Sequence, residues 1–158
     1  KIAFIHGELT SVTRKRLVGF YRAVQERKIT IPQEYIREAR YHDPDTTRKA
    51  TAELMELQDP PTAIMFPDDI SFLGGQAELQ NRGLSIPDDI SVCGYDGIEI
   101  SQMLQPPLTT WRQDAKRIGK ESVRKLVEAI EHRDTCMAEQ IMVSGELISG
   151  YSVKKREK

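Results

Sequence analysis

Cysteine is scarce in this chain. There are two in 158 residues, Cys93 within an apolar run and Cys136 in a polar stretch. That pair does not suggest a disulfide framework, and a reducing, cytoplasmic setting is expected. Long hydrophobic runs are missing too. The longest are far too short to cross a bilayer, and residues 1–10 do not read as a signal peptide, so no membrane partner is expected. Charge of one sign is not in excess: 23 Lys and Arg face 24 Asp and Glu, for a net charge of -1. A near-neutral segment is poorly equipped to grip nucleic acid by itself, because phosphate binding needs a basic surface. The basic close, Lys154-Lys155-Arg156-Glu157-Lys158, reads as a solvated tail.

The usual catalytic signatures are absent as well: no H-E-x-x-H, G-x-S-x-G, Walker loop or G-x-G-x-x-G. His6, His42 and His132 fall on different elements with no metal-ligand spacing. His42 beside Asp43 would, on a strand, point to the opposite face, so that neighbourhood reads as accidental. A thiol inside an apolar strand, as at Cys93, is normally inert. No enzyme activity, metal or cofactor is expected. What remains, 39% hydrophobic and 30% charged, suits one soluble domain large enough to bury a core.

The informative stretch runs from Gly83 to Gln113. Ile90 to Tyr95 is an apolar run that reads as a buried strand of a parallel sheet. Gly83 ends the preceding helix in a left-handed conformation, and Pro87-Asp88 supplies turn chemistry. Gly94-Tyr95-Asp96-Gly97 then puts a carboxylate at the C-terminal tip of the strand. In open α/β sheets ligands bind outside that edge, which makes Asp96 the first candidate site residue.

The rest repeats a strand–helix rhythm. Strands are expected at 2–5, 35–41 and 63–66, with helices over 12–27, from residue 45 or 46 to 58, and over 70–82. A short helix at 98–105, an extended segment at 108–112 and a helix over 114–131 follow, then strands at 140–143 and 146–153. The long helices carry apolar stripes at helical spacing: Leu17, Phe20, Tyr21 and Val24 on the first, and Val123, Leu126, Val127 and Ile130 on the last. Such βα repeats require a parallel sheet with helices on both faces. Ser11 or Thr13 is expected to cap the first helix, and hydroxyls with free N–H groups there favour a polar or anionic ligand. Asp69 is the expected N-cap of the helix after the third strand. Tyr41, at a strand tip, could stack on a sugar ring or a purine.

The phrases GLSIPDDISVCGYDG and PPLTTWRQ resemble the lactose-repressor/galactose-repressor (LacI/GalR) family of bacterial transcription regulators. That family reads G-x-x-[IV]-P-x-D-[IV]-S-[IV]-x-G-[FY]-D and later P-P-L-T-[TS]-[IV]-x-Q; Trp111 departs from it where a small aliphatic residue is preferred. Arg16-Leu17-Val18-Gly19-Phe20 matches R-L-x-G-[FW], and Pro67 to Gly74 matches [AC]-x-N-D-x-x-A-x-G with Asp68 in place of asparagine and Phe72 in place of a small residue. Tyr151 stands where the family often has an arginine before the serine.

The resemblance implies a periplasmic-binding-protein-like fold of type I. Residues 1–105 would form its C-terminal lobe, 106–138 a crossover and a helix of the N-terminal lobe, and 139–158 the return and tail. The helix-turn-helix domain and the start of the N-terminal lobe would precede, so the chain is expected to be part of a longer protein. It further implies a small polar effector such as a sugar, bound by Arg16, Asp96, Tyr41, Asp68 and Thr13. A carboxylate at 68 accepts hydrogen bonds only, which disfavours a phosphate there. A homodimer would form through Phe72, Leu73, Met103 and Leu104, and operator DNA would be held by the helix-turn-helix domain. A periplasmic sugar-binding protein of a transport system shares the fold and is the alternative.

Overall fold

The computed structural model describes residues 1–155. Six strands form one sheet: β1 (Ile2–His6), β2 (Ile36–Glu38), β3 (Ala63–Met65), β4 (Ser91–Asp96), β5 (Thr109–Arg112) and β6 (Glu146–Ile148). Their spatial order is β2-β1-β3-β4-β5-β6. The first five run parallel and β6 pairs antiparallel with β5. Between them lie α1 (Ser11–Glu26), α2 (Pro44–Met55), α3 (Asp69–Asn81), the short α4 (Glu99–Met103) and α5 (Ala115–Glu131).

Successive residues of a strand point to opposite faces, so a fully buried strand feeds two cores. Phe4 of β1 packs with Phe20 and Val24 of α1 on one side. Ala3 and Ile5 face the other side, where Ile64, Val92, Ala50, Leu54, Phe72 and Leu79 complete the larger core under α2 and α3. The helices thus cover both faces, as the repeat demands. The stripe on α1 is real, although Tyr21 stays exposed while Phe20 and Val24 are buried.

Several local expectations are corrected. Thr10, not Ser11 or Thr13, caps α1 by accepting from the Thr13 N–H. Asp68, not Asp69, caps α3 through the Ser71 N–H. The strand expected over 35–41 is only three residues long. A 3₁₀ turn at Gln33–Tyr35 precedes it, with the Tyr35 hydroxyl donating to Asp59 O at 2.6 Å, and residues 41 and 42 form a turn beyond it. Residues 140–143 form no strand, and only 146–148 of the last expected strand joins the sheet. The chain end is fastened differently. Ser152, 1% exposed, donates from its hydroxyl to Val92 O and accepts from the Thr109 N–H, bridging β4 and β5. Of the basic close, Lys154 pairs with Asp88 at 2.6 Å, while residues 156–158 lie outside the described ones.

Two glycines set how closely elements approach. A Cβ at Gly74 would fall 1.8 Å from Pro44 O, so α3 can lie against α2 only without one. Gly83 has φ +70°, the left-handed residue that ends α3.

Candidate ligand-binding site

The C-terminal ends of β1, β3 and β4 and the turn after β2 meet along one edge of the sheet. The Tyr41 ring packs against Gly7 just beyond β1, where a Cβ would fall 2.1 Å from the ring, so only glycine permits that packing. Its hydroxyl pairs with Thr13 Oγ1 at 2.9 Å, and its N–H donates to Glu8 Oε2 at 3.2 Å. Hydrogen bonds from backbone N–H groups, Glu8's own and that of Tyr41, hold the Glu8 carboxyl below its usual range. Thr13 is fully buried and donates to Glu8 O at 2.6 Å, so it touches the site surface through Tyr41.

Arg16 leaves α1 and crosses the strand ends. Its Nη1 donates to Pro67 O at 2.8 Å, beyond β3. Its Cζ sits 3.7 Å from the centroid of the Tyr95 ring and 5.5 Å from that of Tyr41. Its Nε is buried and has no hydrogen-bond partner among the described residues. A guanidinium held by face and by one nitrogen keeps other donors for a ligand oxygen.

Asp96, at the tip of β4, has φ +100°, a conformation that non-glycine residues rarely adopt and that tends to occur at binding sites. Gly97 follows at φ +67°, and a Cβ on it would strike Arg112 at 2.3 Å. One Asp96 oxygen accepts from Gln113 Nε2 at 2.6 Å. The other lies 3.7 Å from His42 Nε2. His42 itself is left-handed at φ +54°, its N–H donating to Asp68 Oδ2. His42 lies in a turn and not on the expected strand, so its ring faces Asp96.

Asp68 is 1% exposed and takes three donors: the Ser71 N–H, the Ser71 hydroxyl and the His42 N–H. Its carboxylate supports the floor of the site from inside. Asp69 is equally buried and ties α3 to β5 through Thr110 Oγ1 at 2.6 Å and to the loop after β4 through the Ile98 N–H at 3.0 Å. Burial raises its pKa, against the lowering effect of those hydrogen bonds. Burial also pushes the Cys93 thiol up to about 11, so it stays a thiol at neutral pH.

A cleft of about 870 Å³ opens beside Asp96, lined by Ile98, Arg112, Gln113, Lys116 and Ser144 among others. Of the expected site residues, Arg16, Tyr41 and Asp96 gather at this edge with Thr13 and Asp68 directly beneath. Sequence reasoning missed Tyr95, His42 and Gln113. Strand parity was the available signal for Tyr95: it falls on the face opposite Val92 and Gly94, the face that carries α1. Among the described residues no group of three or more His, Cys, Asp or Glu could hold a metal ion. Of the residues expected at a dimer contact, Phe72 is 1% exposed and packs edge-on against Phe66 in the core, because its helix is covered by α2 and the sheet. Leu73 and Leu104 are half-buried, and Met103 is 78% exposed.

The sequence profile of the periplasmic binding protein-like domain matches residues 1–153. The chain belongs to that family. Its curated relatives include the HTH-type transcriptional repressor PurR of Mannheimia succiniciproducens, 37% identical over 156 residues, which is 98% of this chain and 46% of that protein. PurR of Vibrio vulnificus is 39% identical over 135 residues, 85% of this chain and 40% of that protein. The chain thus spans less than half the length of these curated relatives. Among solved structures, the LacI transcriptional regulator of Bacillus cereus subsp. cytotoxis superposes with TM-score 0.91 at 32% identity, over 99% of this chain and 55% of that one. The lac repressor dimer bound to operator and the anti-inducer ONPF gives 0.83 at 28% identity, over 97% and 52%. These likenesses match the chain to the periplasmic binding protein-like part of LacI-family transcriptional regulators. The two curated relatives are transcriptional repressors, and among the described residues no helix is long and apolar enough to cross a membrane.

Proposed function

We propose that this chain supplies the larger part of an effector pocket in a cytoplasmic, homodimeric repressor, and that the effector is a small polar molecule, a sugar or sugar derivative. The observation that carries the reading is the placement of Arg16, Tyr41 and Asp96 along one sheet edge, where Asp96 lines the cleft and is bonded to Gln113 of the crossover. Asp96 accepts from ligand hydroxyls or N–H groups, Arg16 donates to ligand oxygens, and the Tyr41 ring offers a face for stacking. Thr13 fixes the Tyr41 hydroxyl, and Asp68 holds the turn that carries His42. Because Asp96 is bonded to Gln113, a ligand that engages its carboxylate also bears on the crossover between lobes. Ligand then favours one lobe arrangement, and the dimer passes that population shift to operator-binding helix-turn-helix domains. Met103, Leu73 and Leu104 give the dimer contact its apolar side chains, with Phe72 supporting them from the core.

Isothermal titration of the intact regulator with D-ribose, cellobiose, glucose 6-phosphate and hypoxanthine tests this. One saturable binder is expected, and Arg16→Ala or Asp96→Ala should each weaken it about 10- to 100-fold, the worth of a hydrogen bond to a charged group. Folding measured by circular dichroism should be unchanged. Full affinity in both variants would remove the site assignment.

A further inference from the structure

We infer that Tyr95 is a positioning residue for Arg16: its ring is the surface that holds the guanidinium plane over the strand ends. This rests on the effector-site reading, and it adds a residue that the reading does not use. The geometry is specific. Arg16 Cζ stands 3.7 Å from the Tyr95 centroid, the separation of a stacked guanidinium, whereas Tyr41 is 5.5 Å away. Among the described residues one guanidinium nitrogen, Nη1, has an acceptor, Pro67 O at 2.8 Å. A single hydrogen bond leaves a guanidinium free to rotate about the N···O line. A ring against its face removes that rotation.

The remaining edge of the fork is then fixed in direction, and Nε is buried with no partner among the described residues. Burying a guanidinium N–H without an acceptor is costly, and the stack is the interaction that offsets it. Tyr95 is itself held in place: it lies in β4 opposite Trp111 of β5, within a ladder that runs on to Asp96 opposite Arg112. One strand therefore sets both the acceptor of the site, Asp96, and the platform for its donor. The two cannot shift independently, which fixes the spacing at which a ligand meets carboxylate and guanidinium.

The test uses the intact regulator in two arms. In the first, ¹⁵N-arginine labelling reads the Arg16 Nε–Hε signal, assigned by its loss in Arg16→Lys. The ring current of a stacked aromatic moves this proton upfield. Tyr95→Phe should keep the upfield position, and Tyr95→Leu should return it to that of the solvated arginines. In the second arm, the same four compounds are titrated. Tyr95→Leu should lower the affinity of the compound that binds by about 2- to 30-fold, the range of a cation–π contact, with Tyr95→Phe restoring it. In an Arg16→Ala background the Tyr95→Leu loss should vanish. An unmoved Arg16 signal in Tyr95→Leu, or an equal loss with and without Arg16, would overturn the proposal. If none of the four compounds binds the parent protein, the effector reading fails, and the arginine signal still decides the role of Tyr95.

Discussion

Helices α3 and α5 make opposite use of their sequences. α3 has thirteen residues and buries six of them, Asp69, Ser71, Phe72, Gly74, Gly75 and Leu79. α5 has seventeen and buries none. Yet α5 carries the cleaner apolar stripe: Val123, Leu126, Val127 and Ile130 follow i, i+3, i+4, i+7, and all four are exposed, Ile130 at 71%. Periodicity reports that a helix has two unlike sides; it does not report what covers them. α3 is covered on several sides at once. Phe72 and Leu79 enter the main core, Gly74 meets Pro44 of α2, Gly75 meets the Phe66 ring, and Asp69 is bonded to Thr110 of β5. A helix wrapped that way needs small and hydrogen-bonded residues around its circumference, and these blur any stripe. α5 shows the other limit, with its polar side laced by surface ion pairs such as Arg124–Glu121 and Lys125–Glu139. We propose that α5 belongs to the other lobe, as the resemblance implies, and that the rest of that lobe covers its apolar side.

The contrast predicts where substitutions hurt this chain. The largest effect belongs to Phe72→Ala, which removes a 1%-exposed ring between Phe66 and the strands. A loss of about 3–5 kcal/mol is expected from transfer and cavity terms together, read as a lower urea midpoint at unchanged slope. A cost below about 1 kcal/mol would mean that α3 is less enclosed than its neighbours indicate.

Asp69 sharpens the same comparison through pH. Burial raises its folded-state pKa above the unfolded value, so the folded chain holds this proton more tightly. The stability it contributes is complete below the ordinary carboxylate value, about 3.9, and is lost as pH rises through the higher folded value. Stability measured by urea from pH 4 upwards should therefore carry a falling component that Asp69→Asn removes. The substitution also exchanges one acceptor for a donor facing the Thr110 hydroxyl or the Ile98 N–H, so the absolute stability drops while the slope flattens. An unchanged slope in the variant would show that the carboxylate ionises as it does in water.

Much of this architecture was legible beforehand, and the failures share a cause. The parallel sheet, the helices on both faces and the tip at Asp96 followed from strand–helix alternation and from glycines at 83 and 97, because those signals are local. The caps were misplaced by one to three residues. Thr10, Ser11 and Thr13 all carry a suitable hydroxyl, as Asp68 and Asp69 both carry a carboxylate, and only the backbone angles choose between them. Tyr41 was found at the right edge for a partly wrong reason, since it lies in a turn and not on a strand. That same error hid His42. Strand parity puts Tyr95 on the α1 face, but the contacts themselves, with Arg16 for Tyr95 and with Asp96 for Gln113, span 79 and 17 residues of sequence, and no local pattern names such partners. Phe72 was expected at a dimer contact because the resemblance puts the helix after Asp69 there; inside the fold its ring packs against Phe66 between α3 and the sheet.

The smallest effect closes the comparison. Leu126 is as apolar as any core residue, and it is 61% exposed on α5. Leu126→Ala removes little buried area and places the best helix former in a helix interior, so within this chain the change should stay inside about 0.5 kcal/mol of zero. The same substitution in the intact regulator should cost about 2–5 kcal/mol if another lobe packs on the stripe, the usual penalty for truncating a buried leucine. The two numbers, taken by urea denaturation of the chain and of the intact protein, measure how much of α5 is completed from outside. Equal values near zero would mean that the stripe stays in water and serves some other surface. A large cost in the isolated chain would mean that α5 folds back on the sheet in solution, so that its apolar side is covered from within.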